Sequence, residues 1–214
     1  MNKKRHGHAE LVSASLALIL IFFSLLFISC TTEVTLTVKA DDSVDIRFEG
    51  SAGDAFIKMI NSASGSDNGL LIDGDSVSYE LAKAGFAAVK VNQNNPSSVQ
   101  ISMSDKKQTS YIFSSGIIKA EKGRLSATVT RKSLEDFYNS ADEQTRTTLD
   151  LFLAPVFNNE NMSEEEYLEM VGSFYGDAAA KEVSESAVKI NLISKDGSKQ
   201  TLIYPLTQVF CGLF

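Results

Sequence analysis

Apolar and polar residues alternate strictly over two adjacent runs of the chain. Val34, Leu36 and Val38 are separated by Thr35 and Thr37; after the turn residues Asp41-Asp42-Ser43, Val44, Ile46 and Phe48 alternate with Asp45, Arg47 and Glu49. Successive side chains of a strand point to opposite faces, so these runs predict a β-hairpin with one oily and one wet face. Such a sheet must be covered on its oily side, and helical periods follow that supply the cover. Phe56, Ile57 and Ile60 form a short helical stripe that leads into the polar loop "NSASGSDNG" at 61–69. "SYELAKAGF" at 78–86 reads as a second helix, stopped by Gly85. Shorter β-like runs follow at 88–91, 99–103, 111–119 and 125–130, with "NQNNPSS" at 92–98 as a polar turn cluster.

From Lys132 the period becomes helical. Leu149, Phe152, Leu153 and Val156 recur at i, i+3, i+4 and i+7, with Pro155 bending or ending the run. Ser163 and Glu166 have the spacing of a capping box, and Glu164, Glu165 and Glu166 stand at the positive end of the helix dipole. Leu168, Val171, Phe174 and Tyr175 make an apolar stripe behind them, closed by Gly176. "DAAAKEVSES" predicts one more helix. A closing hairpin is then predicted from Val188, Ile190 and Leu192, the turn "SKDGSK", and 202–206, with Phe214 finishing the last core strand. No repeat of fixed period is present. The order hairpin, helices, strands, helices, hairpin predicts a single α+β domain, a mainly antiparallel sheet with several helices packed on one face.

Ahead of this body lies a segment of different character. Lys3, Lys4 and Arg5 form a positive start, 16–28 is almost unbroken Leu, Ile, Phe and Ala, and the small Ser29 precedes Cys30. These are the three parts of a secretory signal, with the basic end left in the cytoplasm. Phe27-Ile28-Ser29-Cys30 resembles the bacterial lipobox in a relaxed form, with Phe27 where leucine is usual. The resemblance implies a signal peptide at 1–29, cleavage between Ser29 and Cys30, and an extracytoplasmic domain at 30–214. By that resemblance Cys30 carries a thioether-linked diacylglycerol and an amide-linked acyl chain such as palmitate. Each buried methylene contributes roughly 0.8 kcal/mol, so two or three chains make a stable anchor. The alternative is an uncleaved helix at 11–29, long enough to span at about 1.5 Å per residue. Either places the body outside the cytoplasmic membrane and tied to it, in the periplasm or cell envelope.

Without the signal the composition shifts. Of 20 Lys+Arg and 27 Asp+Glu, residues 1–29 hold Lys3, Lys4, Arg5 and Glu10, leaving 17 against 26 and a net charge of −9. An acidic body repels phosphate backbones, so no nucleic acid is expected as a partner. Both histidines, His6 and His8, lie in the signal, which removes the commonest general base and most zinc sites from the body. Cys211 has only Cys30 to pair with, and lipidation uses that sulfur; no intramolecular disulfide is expected, and "VFCGLF" suits a packed thiol.

Few motifs carry chemistry. Ser66-Asp67-Asn68 and Ser104-Asp105-Lys106-Lys107 spell the S-D-N and S-x-x-K elements of penicillin-binding and serine β-lactamase families, in which a lysine takes the serine's proton. Their order is reversed here, "KDGSK" at 195–199 replaces K-T-G, and the S-x-x-K element is expected in a polar turn after a strand rather than opening a helix. Asp73 and Asp75 lack the later ligands of a calcium loop, and Asp75 reads as a helix N-cap. Glu164–Glu166 read as dipole-compensating acids, not as a glycosidase pair. No metal or cofactor is expected, and catalytic residues are assigned to none. "APVFNNENMSEEEYLEMVGSFYG" resembles stretches of uncharacterised bacterial lipoproteins and implies no activity. Two functions remain. One is a non-catalytic lipid-anchored module that binds an envelope protein or small ligand, or serves as a structural component, with the wet sheet face or the loop at 61–75 as its contact surface. The other is an envelope hydrolase using carboxylates or Ser104 with Lys107.

Overall fold

In a computed structural model the described residues are 31–212 apart from 65–72, 109, 115, 129, 141–145, 147–149, 151–152 and 154–161. The predicted hairpin forms from β1 (Thr31–Val38) and β2 (Val44–Ser51), paired antiparallel with Val34 opposite Phe48 and Leu36 opposite Ile46. Two further hairpins extend it, β3 (Ala87–Asn95) with β4 (Ser98–Asp105) on one side and β7 (Ala187–Ile193) with β8 (Lys199–Pro205) on the other. The resulting sheet has six strands in the order β3-β4-β2-β1-β7-β8. All neighbours are antiparallel except β1 and β7, the fourth and fifth strands in that order, which run parallel. A separate hairpin of β5 (Ile118–Glu121) and β6 (Arg124–Ala127) rests on the β7–β8 turn, where the Lys195 amide donates to the Gly123 carbonyl at 2.8 Å.

The strand register explains the core. One row crosses all six strands as Val91, Ile101, Phe48, Val34, Ile190 and Leu202, and its four interior members are buried. Helices cover this face: α1 (Asp54–Ser64), α2 (Gly74–Lys83), α3 (Tyr111–Ser114), α4 (Arg131–Ser140), α5 (Glu164–Tyr175), α6 (Asp177–Ser184) and α7 (Leu206–Cys211). Phe56, Leu81, Tyr167, Val183 and Phe210 from five of these join the strand residues in one core. Each fully buried Val, Leu, Ile or Phe contributes roughly 1.5–3 kcal/mol, so the α+β layering is the arrangement that satisfies the alternation in the strands. Among the described residues no helix is long and apolar enough to cross a membrane.

Local chemistry sets the helix ends. The capping box forms at α5: Ser163 Oγ accepts from the Glu166 amide at 3.2 Å, and Glu166 Oε2 accepts from the Ser163 amide at 2.8 Å. The start of α1 is capped from a distance, because the Glu182 carboxylate on α6 accepts from the amides of Ala55 at 3.1 Å and Phe56 at 2.8 Å. Gly53 permits this approach, since a Cβ there would stand 2.6 Å from the Glu182 carboxylate.

Several expectations need correction. The N-cap of α2 is Asp73 and not Asp75: Asp73 Oδ1 accepts from the amides of Asp75 and Ser76 at 3.1 and 3.2 Å. The run 111–119 is not one strand. Asp105 accepts from the amides of Lys107 and Ser110, the Ser110 carbonyl takes the amides of Phe113 and Ser114, and the chain closes one helical turn before β5 starts at Ile118. The strand β3 runs through most of "NQNNPSS", leaving a tight turn in which Asn95 Oδ1 accepts from the Ser97 amide at 2.8 Å. The closing strand ends at Pro205, and Leu206, Val209 and Phe210 then bury one side of α7, whose C-cap Gly212 is left-handed at φ 67°. Phe214 lies outside the described residues, as do Leu149, Phe152 and Val156, whereas Leu153 is helical and fully buried. On α5 the buried positions are Tyr167 and Val171, with Leu168 and Tyr175 half-buried; Phe174 is 77 % exposed rather than part of the stripe.

Candidate binding surface

The face opposite the helices is open and, apart from Ile203 on the edge strand β8, polar in its two central rows. Its central row reads Lys90, Ser102, Arg47, Thr35, Asn191 and Thr201, and the next reads Asn92, Gln100, Glu49, Glu33, Lys189 and Ile203. Every one of these positions is an outward member of an alternating strand, so the pattern that builds the core also dictates this surface.

The two halves of the face differ. Over β1, β7 and β8 the polar groups satisfy one another. Asn191 Nδ2 donates to Glu33 Oε1 at 2.5 Å and to Thr35 Oγ1 at 3.4 Å, Asn191 Oδ1 accepts from Thr201 Oγ1 at 2.8 Å, and Lys189 Nζ lies 3.2 Å from Glu33. Asn191 is only 1 % exposed although it belongs to the open face. Glu33 and Glu49 stand directly opposite each other, a like-charge pair that Lys189 and Arg47 offset from either side. Over β2, β4 and β3 the side chains of Lys90, Ser102, Ser104, Asn92 and Gln100 make no hydrogen bond or ion pair with the described residues.

A cleft of about 670 Å³ opens on that unsatisfied half, toward the β1–β2 turn. Lys39, Arg47, Lys90 and Lys106 line it against two acids, Asp41 and Asp45. Asp45 holds Lys39 at 2.8 Å, a hydrogen bond and charge contact that raises the lysine's pKa. The Ser43 hydroxyl and then its amide bond to Asp41 and lower that carboxyl's pKa. Both acids are engaged, while Lys90 and Lys106 carry no acidic partner among the described residues. A smaller groove of about 250 Å³ adjoins along Glu33, Glu49, Asn92 and Gln100. On the helix side an acidic groove of about 760 Å³ follows α5 and α6 beside Glu165, Glu169 and Asp177.

The residues with possible chemistry do not converge. Ser104 faces the open side and Lys107 lies in the turn after β4, and no hydrogen bond joins them; the intervening Asp105 is buried and spends its carboxylate on the turn amides. Ser66-Asp67-Asn68 and most of the loop at 61–75 lie outside the described residues, as do Ser29 and Cys30. Glu164 is engaged by the Thr207 hydroxyl, and Glu166 by Ser163. Cys211 is buried, and burial followed by the nearby Glu164 charge pushes its thiol up to about 11. Among the described residues no three His, Cys, Asp or Glu side chains gather as metal ligands. Arg47 and the wet sheet face are legible from alternation and Ser104 stands in the S-x-x-K spelling, but nothing in the sequence signals that Lys39, Lys90 and Lys106 join them in one cleft. No family model, curated protein or solved structure matches the chain.

Proposed function

We propose that the protein is a cell-envelope lipoprotein, anchored through a lipid on Cys30, whose body is a non-catalytic binding module presenting the open sheet face to an envelope partner. The observation that carries this is a six-stranded sheet covered by helices on one side and left bare and polar on the other. Adjacency of the anchor supports it. Cys30 directly precedes β1, and β1 is an interior strand, so a tether there leads into the middle of the sheet without a linker. The strands then rise from the bilayer and the open face looks sideways into the envelope space. At about 3.3 Å per residue, the far end of β1 stands roughly 25 Å from the anchored end. The histidine-free body and the engaged state of Asp105, Glu164 and Glu166 favour binding over hydrolysis.

A photo-crosslinking residue placed in full-length, membrane-bound protein tests the reading. Positions Thr35 and Ser102 sample the open face, and Tyr79 and Phe174, 66 % and 77 % exposed, sample the helix side. Adducts of defined higher mass at the first two positions and not the second two are expected. Adducts confined to the helix side, or none at any position, overturn it.

A further inference from the structure

The cleft at the β1–β2 end of the open face has the charge and lining of a ligand site, and its occupant is legible from that lining. Four cations stand around it against two acids, in a body that carries 17 basic residues against 26 acidic ones. The concentration runs against the protein's overall charge. Two of the four, Lys90 on β3 and Lys106 after β4, have no acidic partner among the described residues. Beside them β4 presents Ser102 and Ser104, and beyond Asp45 of β2 stands Thr37 of β1, hydroxyls whose side chains bond to nothing else in the described residues. Among the described residues no aromatic side chain lines the cleft, so flat hydrophobic ligands find no stacking partner there. The β3 strand bulges between Ala87 and Lys90, with Ala88 at φ 54°, and this irregularity opens the end of the sheet beside Lys90.

We propose that this cleft binds an anionic sugar, a polyol bearing a phosphate or carboxylate, with Lys90 and Lys106 holding the anion and the hydroxyls of Ser102, Ser104 and Thr37 meeting the ring hydroxyls. A volume of about 670 Å³ falls within the roughly 300–1,000 Å³ of small-ligand sites and accommodates one or two sugar units. Lysine ammonium groups and serine or threonine hydroxyls supply donors to the anion and both donors and acceptors to a polyol. The inference rests on the open face being the binding surface. It goes further in naming the ligand class, and its distance of roughly 25 Å from the anchored end points to a ligand of the envelope space rather than a headgroup of the anchoring bilayer.

Isothermal titration of the full-length protein in a polyoxyethylene detergent, which carries no sugar headgroup, tests it with glucose 6-phosphate, glucuronate, inorganic phosphate and neutral glucose. Saturable binding of glucose 6-phosphate or glucuronate with Kd below about 1 mM is expected, at least tenfold tighter than glucose or phosphate alone. The paired substitutions Lys90→Ala and Lys106→Ala should weaken it at least about tenfold, and Lys199→Ala, on an exposed strand outside the cleft, should leave it unchanged. Tighter binding of phosphate than of either sugar acid would make the site a plain anion site and overturn the sugar assignment. Absence of binding, or equal weakening by Lys199→Ala, overturns the site itself. Crosslinks at Thr35 and Ser102 in a protein that binds none of the four compounds would sink the cleft proposal alone and leave the open face as the contact surface.

Discussion

Truncating Glu182 to Ala tests whether a helix in this fold is capped by a residue far away in sequence. The carboxylate accepts from the amides of Ala55 and Phe56 at 3.1 and 2.8 Å, across a sequence separation of 127 and 126 residues. Amides in the first turn of a helix lack intrahelical partners, and a carboxylate there also meets the positive end of the dipole. A hydrogen bond to a charged group contributes about 1.5–3 kcal/mol, and a lost cap typically costs about 1 kcal/mol. Glu182 is half-buried, so water recovers part of the loss, and about 2 kcal/mol is the expected destabilisation. For a domain of this size each kcal/mol moves Tm by roughly 2–4 °C, giving a fall of about 4–8 °C by circular dichroism, with urea titration as an independent measure. Glu185→Ala is the control, since the Glu185 side chain is exposed and, among the described residues, meets only Lys181 at 3.9 Å; its change should stay within about 0.5 kcal/mol. Gly53→Ala adds a second arm. Its Cβ would stand 2.6 Å from the carboxylate, so it should destabilise the wild type and cost measurably less in the Glu182→Ala background. Loss of less than about 0.5 kcal/mol from Glu182→Ala, or strict additivity with Gly53→Ala, would refute the capping account.

Other expectations follow from groups whose surroundings are defined. Tyr167 is fully buried with an unpartnered hydroxyl beside Phe210, so Tyr167→Phe should leave stability unchanged or raise it by up to about 1 kcal/mol; a loss above about 1 kcal/mol in urea unfolding would show that the hydroxyl is bonded. The Ser163 amide and then its hydroxyl hold the Glu166 carboxyl below the ordinary 4.5. Its contribution is complete above pH 4.5 and is lost as pH falls through the lowered value, so the NMR titration midpoint of Glu166 should lie below 4.5 and move part of the way back in Ser163→Ala. Cys211, with its thiol at about 11 and its side chain in the core, should resist a thiol reagent near pH 8 in the folded protein and react fully in guanidinium; prompt reaction of the native thiol would contradict its burial.

What the sequence discloses follows from how local each cause is. The outward and inward positions of β1 and β2 were legible because side-chain alternation is fixed by the backbone, and the Ser163–Glu166 box because both partners lie within one turn. The C-terminal helix was missed although Leu206, Val209 and Phe210 are spaced for it. Their β-branched and aromatic neighbours equally suit a strand, and Pro205 decides by ending the ladder there. Asp73 and Asp75 compete for one cap two residues apart, and only the backbone of Asp73, extended at φ −75° and ψ 97°, presents its carboxylate to the following amides. Phe174 stands i+7 from Tyr167 and i+3 from Val171, on the face they bury, yet lies exposed in the last turn of α5, and spacing alone does not show where along a helix the cover ends. The parallel pairing of β1 with β7, the Glu182 cap and the Asn191 network join residues more than a hundred positions apart, except for the link from Asn191 to Thr201. The cleft is of the same kind, since Lys39, Lys90 and Lys106 meet only through the register of four strands.

The proposed role of Cys30 is to tie the domain to the membrane through a lipid. Intact mass and detergent partitioning of the full-length protein expressed in a bacterial host, beside Cys30→Ala, address it directly. A chain beginning at Cys30, heavier by its acyl groups, partitioning with detergent and reverting in Cys30→Ala to an unprocessed chain without that mass, is the expected result. An unprocessed chain of identical mass difference from sequence in both proteins would leave 11–29 as a membrane helix and contradict the lipoprotein assignment.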